Sequence, residues 1–181
     1  MDSDLETIAL AGNPNAGKTT IFNALTGSHQ KVGNYAGVTI AKKSGEFFTP
    51  HGRKIRLLDL PGCYSLQGDS PDQVIASRVL CGQDPEEPAP ALVINVVDAS
   101  ALERHLQLTL ELIELGLPVV LALNMVDVAE RTGLRLDPAK LSEELGIPVV
   151  PTQARRFAAM LVEAVARTAP LMWLTPSIAM I

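Results

Sequence analysis

Short apolar runs alternate along this chain with stretches whose apolar positions recur at helical period. Residues 7–11, 54–60, 92–97, 119–123 and 148–150 read as strands, and residues 18–26, 72–80, 102–115, 138–145 and 157–168 as helices. Strand following helix following strand predicts a wound α/β sheet with helices on both faces. Residues 44–49 and 54–60 break the alternation, because the turn Pro50, His51, Gly52, Arg53 between them is too short for a crossover helix. They should form an antiparallel hairpin. The expected architecture is therefore α/β, a six-stranded, mostly parallel sheet with one antiparallel edge strand. Gly116 and Gly146 close helices, with Pro118 and Pro148 shortly after. Residues 1–168 read as one unit and 169–181, apolar but interrupted by Pro170 and Pro176, as a tail or truncation remnant.

Composition narrows the class without naming a function. Hydrophobic residues make up 47% and aromatic ones 4%, so Val, Leu, Ile and Ala must build the core, as in a buried parallel sheet. A net charge of −5 and the lack of a basic block argue against nucleic-acid binding; Lys42 with Lys43 and Arg155 with Arg156 read as solvated pairs. Cys63 and Cys81 fit no metal spacing and no disulfide framework, which suits a reducing cytoplasmic setting. The charged start at residues 1–6 is no signal peptide, and no run approaches the roughly 18 apolar residues of a membrane helix.

The chemistry begins directly after the first strand. Gly12, Asn13, Pro14, Asn15, Ala16, Gly17, Lys18, Thr19 form a complete G-x-x-x-x-G-K-[ST] loop, followed by Thr20 and the predicted helix. The glycines let main-chain N–H groups point inward, Lys18 offers a cation to β- and γ-phosphates, and Thr19 offers a hydroxyl to Mg2+. About 40 residues beyond Lys18, Asp59, Leu60, Pro61, Gly62 place a carboxylate at a strand's carboxyl end. Asp59 can hold Mg2+ through water, and the Gly62 N–H can sense a γ-phosphate. Asn124, Met125, Val126, Asp127 end another strand; the Asp127 carboxylate can accept from guanine N1–H and the 2-amino group, which selects GTP over ATP. Each short motif has a bland reading, a strand-ending turn, and gains meaning from order. Between the loop and Asp59, the glycine-rich segment 32–40 carries Thr39, a second hydroxyl for Mg2+ in a loop that orders with the γ-phosphate.

With these motifs in place the chain resembles the N-terminal G domain of the FeoB ferrous-iron transport family. The resemblance runs over about residues 7–156 and is carried by the phosphate loop, by 33–39, by 59–66, by 95–104 and by 122–127; segments 62–66 and 96–104 are the family-specific ones. It implies a Ras-like P-loop GTPase fold and slow GTP hydrolysis to GDP and phosphate, coupled to Fe2+ uptake. It further implies a helical spacer domain and a transmembrane iron-permeation domain, neither of which the sequence contains, at the cytoplasmic face of the bacterial inner membrane. Self-association is left open. The resemblance makes Asn15 a ligand of an activating K+, and it extends the nucleotide contacts to Gly37, Val38, Thr39, Ile40, Ala41, Thr152, Gln153 and Ala154. Lys18, Asn15, Thr39 and Gly62 are then the groups expected to act on the γ-phosphate.

Two departures stand out. Cys63 occupies the position at which Ras-type enzymes keep a water-orienting Gln, so main-chain groups of 33–39 must align water and turnover should be slow. The last guanine loop carries Gln153 and Phe157 where the family has small residues. Two rivals remain: a nucleotide switch with incidental hydrolysis, and a translation- or tRNA-modification-linked, potassium-dependent GTPase, which would need an RNA-binding appendage.

Overall fold

A computed structural model of the chain describes residues 6–27, 29–50, 52–152 and 157–173. Its strands are β1 (Glu6–Gly12), β2 (Gln30–Asn34), β3 (Ala41–Phe48), β4 (Lys54–Asp59), β5 (Leu92–Asp98), β6 (Val119–Asn124) and β7 (Val149–Pro151). They form one sheet in the order β2-β3-β4-β1-β5-β6-β7. β1 pairs parallel with β4 and β5, β5 with β6, and β6 with β7, whereas β2–β3 and β3–β4 are antiparallel.

The hairpin of β3 and β4 is as expected, but the sheet has seven strands rather than six. The additional strand is β2, so the antiparallel edge is two strands deep. Its sequence, Gln-Lys-Val-Gly-Asn, is exposed at every position, so no alternation marks it; pairing of its backbone with Ala41 to Gly45 alone makes it a strand. It takes in residues 32–34 of the segment read as a flexible loop, which shortens that loop to 35–40.

The helices are α1 (Lys18–Thr26), α2 (Pro71–Leu80), α3 (Leu102–Glu114), α4 (Val126–Arg131), α5 (Pro138–Leu145) and α6 (Phe157–Trp173). α4 was not foreseen. The expected boundary at 168 falls inside α6, and 174–181 lie outside the described residues.

Both faces of the sheet are buried, which is why its central strands are apolar at successive positions. Ile8 and Leu10 of β1 pack with Ile21 and Phe22 of α1 and with Leu161 and Val165 of α6. Ala9 and Ala11, on the opposite face, pack with Ile75 and Val79 of α2 and Leu108 and Leu112 of α3. A third group joins Leu121 and Leu123 of β6 to Val126 and Ala129 of α4 and to Leu141 and Leu145 of α5. Among the described residues no helix is long and apolar enough to cross a membrane. The parallel strands all end at one rim, where Leu10 opposes Asp59, Gly12 opposes Val96 and Asp98 opposes Asn124. Open α/β sheets bind ligands there.

Candidate nucleotide-binding site

The loop after β1 is shaped by close approach. Gly12 has φ +150°, and a Cβ there would come within 2.5 Å of the Val96 carbonyl oxygen. Gly17 has φ +95°, and its Cβ would strike Asn124 Nδ2 at 2.1 Å. Only glycine meets both demands at once. Asn15 sits exposed at the outer bend in the left-handed region, φ 64°. Ala16 N–H donates to the Asn13 carbonyl at 3.2 Å and closes the turn. No side chain caps the start of α1, so its first N–H groups are left for an anion.

Lys18 Nζ donates to the loop's own Gly12 and Asn13 carbonyls at 3.2 and 3.4 Å. Burial pushes its ammonium pKa down, and the nearby Asp59 carboxylate works against that. Asp59 is pushed the other way, up, by its own burial, with Lys18 opposing. Its Oδ1 is buried and makes no hydrogen bond to the described residues. An orphaned carboxylate oxygen within electrostatic reach of Lys18, together with the exposed Thr19 hydroxyl in the first turn of α1, is a set of oxygen ligands that suits Mg2+.

Gly62 lies against the phosphate loop, its missing Cβ 3.0 Å from Lys18 Nζ and 3.2 Å from Pro14. Cys63 N–H donates to the Gly12 carbonyl at 3.3 Å while its side chain is buried. Burial raises its thiol pKa to about 11, so it is neither a base nor an aligner of water. Beyond it, Tyr64 stacks edge-on against His105, beneath the Arg104 guanidinium. Ser65 Oγ and Leu66 N–H both donate to Glu111 of α3. Glu111 escaped the sequence reading because its partners stand 45 and 46 residues upstream and a mid-helix Glu reads as solvated.

The segment 35–40 is anchored, not free. The Tyr35 ring is buried and its hydroxyl donates to the Asp59 carbonyl; its N–H donates to Ile40 at 3.0 Å. Gly37, Val38 and Thr39 are exposed, and no hydrogen bond joins Thr39 to the phosphate loop among the described residues. Lys42 is not the solvated residue expected. It stands 5.9 Å from the Tyr35 ring centre and pairs with Glu86 at 3.0 Å and Glu87 at 3.2 Å, and Glu87 also receives two hydrogen bonds from Arg56.

Asn124 joins the phosphate loop to the guanine side. Its Nδ2 donates to the Ala16 carbonyl at 2.9 Å, and its Oδ1 accepts from Thr152 Oγ1 at 2.8 Å. Met125 turns through the left-handed region, φ 56°, and hands the chain to α4. Asp127 projects from the first turn of α4, where it pairs with Arg131 at 2.6 Å on the surface. Such an exposed pair is worth roughly 0.3–0.5 kcal/mol, little for a ligand to displace. Gln153 and Ala154 lie outside the described residues, as do Arg155 and Arg156. The structure thus gathers Gly12, Lys18, Asp59, Gly62, Asn124 and Thr152 at one rim and leaves Thr39 at its edge.

Comparison with known proteins follows the same lines. The family described as ferrous iron transport protein B matches residues 6–165. The Fe(2+) transporter FeoB of Salmonella typhimurium and that of Escherichia coli K12 are each 51% identical over 154 residues, covering 83% of this chain and 19% of their own length. The chain therefore spans about a fifth of those relatives. Among solved structures, the cytosolic domain of L. pneumophila FeoB is similar with TM-score 0.81 and 46% identity, over 90% of this chain and 63% of that one. An S. thermophilus NFeoB mutant bound to GDP gives 0.81 and 42%, over 96% and 66%. The FeoB G-domain from Methanococcus jannaschii gives 0.75 and 42%, over 91% and 97%.

Proposed function

This chain belongs to the ferrous iron transport protein B family, as its G domain, and on that footing we propose that it binds GTP, hydrolyses it slowly to GDP and phosphate, and regulates iron passage through a membrane domain. The observation that carries the reading is the Asn124 bridge, which ties the phosphate loop to Thr152 and fixes the spacing between phosphate and base subsites. The GDP bound to the S. thermophilus relative supports a guanine nucleotide here.

Lys18 leaves the Gly12 and Asn13 carbonyls to meet the β- and γ-phosphates. Asp127 exchanges Arg131 for the guanine edge. Thr19, Thr39 and Asp59 would hold Mg2+, and Asn15, exposed at the bend, would hold K+. These cations, when bound, offset the charge that develops on the phosphate oxygens. Gly62 N–H orients the γ-phosphate for in-line attack by water, and main-chain groups of the 35–40 segment align that water because Cys63 is buried and cannot. Hydrolysis then frees both segments and changes what a helical spacer and a transmembrane iron-permeation domain meet at the cytoplasmic face of the inner membrane.

Single-turnover hydrolysis of GTP with Mg2+, in KCl and in NaCl, tests this. Faster turnover in KCl, lost in Asn15→Ala, is the expected result. Equal rates in the two salts remove K+ from the proposal, and no hydrolysis in either leaves a nucleotide switch, the reading that buried Cys63 favours second.

A further inference from the structure

The segment from Asp59 to Leu66 is held at both ends, and the two ends are unlike. At the phosphate-loop end the ties are neutral, Leu60 N–H to the Leu10 carbonyl at 2.9 Å and Cys63 N–H to the Gly12 carbonyl at 3.3 Å. At the far end a carboxylate does the holding. Glu111 accepts from Ser65 Oγ at 2.7 Å, from Leu66 N–H at 2.6 Å and from Gln107 Nε2 at 3.1 Å, while Ser65 Oγ accepts in turn from Gln67 N–H at 3.1 Å. The first two are lengths typical of hydrogen bonds to an ionised acceptor, roughly twice as strong as neutral ones.

Glu111 is 9% exposed and lies on the α3 face that also carries His105 and Leu108. An apolar side chain would fill that position without the cost of drying a carboxylate. What the carboxylate adds is a fixed point for residues 65–66, four residues beyond Pro61. The ring of Tyr64, edge-on to His105 and covered by the Arg104 guanidinium, extends the same anchorage by one residue.

We infer that Glu111 is a positioning residue which pins the distal end of this segment to α3 in every nucleotide state, so that a γ-phosphate displaces only residues 60–63 and the Gly62 N–H swings on a fixed pivot. The inference rests on the GTPase reading above. Because Glu111 touches no part of the phosphate loop, its removal should loosen the aim of Gly62 without weakening the hold on a diphosphate.

The test uses the full chain, Glu111→Gln, Ser65→Ala and the double variant. Amide hydrogen exchange at Leu66 is followed with GDP and with a non-hydrolysable GTP analogue, beside single-turnover hydrolysis and the affinity for a fluorescent GDP. In the unsubstituted chain Leu66 should be equally protected with either nucleotide. Glu111→Gln, which keeps one acceptor oxygen for the three donors Ser65, Leu66 and Gln107 and presents an NH2 in place of the other, should weaken that protection and slow hydrolysis about tenfold, with GDP affinity changed less than about twofold. Ser65→Ala should move both in the same direction by less, and the double variant should add little to Glu111→Gln. Loss of Leu66 protection on binding the analogue in the unsubstituted chain overturns the inference, as does a Glu111→Gln rate equal to that chain's, or GDP affinity falling in step with rate. A chain that binds the analogue yet hydrolyses no GTP overturns the GTPase reading instead, and the exchange data then decide Glu111 alone.

Discussion

The Tyr35 hydroxyl donates to the main-chain carbonyl of Asp59 at 3.0 Å from a ring only 1% exposed. The segment that carries Thr39 is thereby fastened to the strand end that carries the orphaned carboxylate. Motion between Gly37 and Thr39 starts from this anchor, and Lys42 above the ring is in turn held by Glu86 and Glu87.

Removing the hydroxyl alone, in Tyr35→Phe, should lower stability by about 1 kcal/mol, the net worth of one such hydrogen bond. Tyr35→Ala should cost about 3–5 kcal/mol, because a filled core site becomes a cavity. Urea unfolding of the three proteins reads both numbers, and equal midpoints for Tyr35→Phe and Tyr35→Ala would contradict the ring's burial.

Gly17→Ala combines two penalties, a left-handed backbone and a methyl 2.1 Å from Asn124 Nδ2. The Asn124 bridge must break to admit it. Guanine-nucleotide affinity should fall by about a hundredfold, and Asn124→Ala, which strands the Ala16 carbonyl and leaves the Thr152 hydroxyl only its longer bond to the Leu123 carbonyl, should cost about 1–3 kcal/mol of stability besides. Titration with fluorescent GDP and thermal melts of both variants separate the two effects.

Much of this arrangement could be read along the chain because the strands that place the site are apolar runs of conventional length and the loops at their ends carry residues with few alternative uses. β1, β5 and β6 were legible as buried strands, and with them Gly12 and Asn124. β2 was not, since its exposed Gln30 to Asn34 has no pattern beyond main-chain pairing. α4 escaped for another reason: it is six residues long and follows a left-handed Met125 with no side-chain cap to announce it. Lys42 and Glu111 were misjudged or missed because their partners are remote in sequence, at 44 residues for Lys42 and Glu86 and 46 for Ser65 and Glu111. Charge alone does not tell a solvated side chain from one that pins a loop.

The two thiols should differ sharply. Cys63 is buried with its pKa raised to about 11, and Cys81 is exposed. At neutral pH a maleimide or disulfide reagent should label Cys81 within minutes and Cys63 only after unfolding, because the thiolate is the reactive form. Mass spectrometry of digested protein gives the assignment, and rapid labelling of Cys63 in the folded chain would contradict the packing of the 60–66 segment.

His105 gives the fold a dependence on pH. Burial lowers its pKa below the ordinary 6.5, with Asp98 opposing, and its Nδ1 accepts from the Asp98 N–H at 3.2 Å, which an imidazolium could not do. Below pH 6.5 the unfolded chain takes up a proton that the folded chain declines. Its stabilising contribution is therefore full above that value and is lost as pH falls toward the depressed folded value. The melting temperature should drop between about pH 7.5 and about pH 5.5, and less so in His105→Asn, which keeps an acceptor and cannot titrate. Equal drops in both proteins would place the effect elsewhere.

The parallel register of the sheet acts as a ruler for all of these contacts. Leu10 opposes Asp59 and Asp98 opposes Asn124, so the loops that meet at the rim are set by how far each strand runs. A strand advances about 3.3 Å per residue and reverses its faces at each step. A single residue inserted within β6 would carry Asn124 beyond reach of the Ala16 carbonyl and turn Leu121 and Leu123 out of their layer. Length can vary more freely at the opposite rim, in turns such as 116–118, where nothing downstream is being measured.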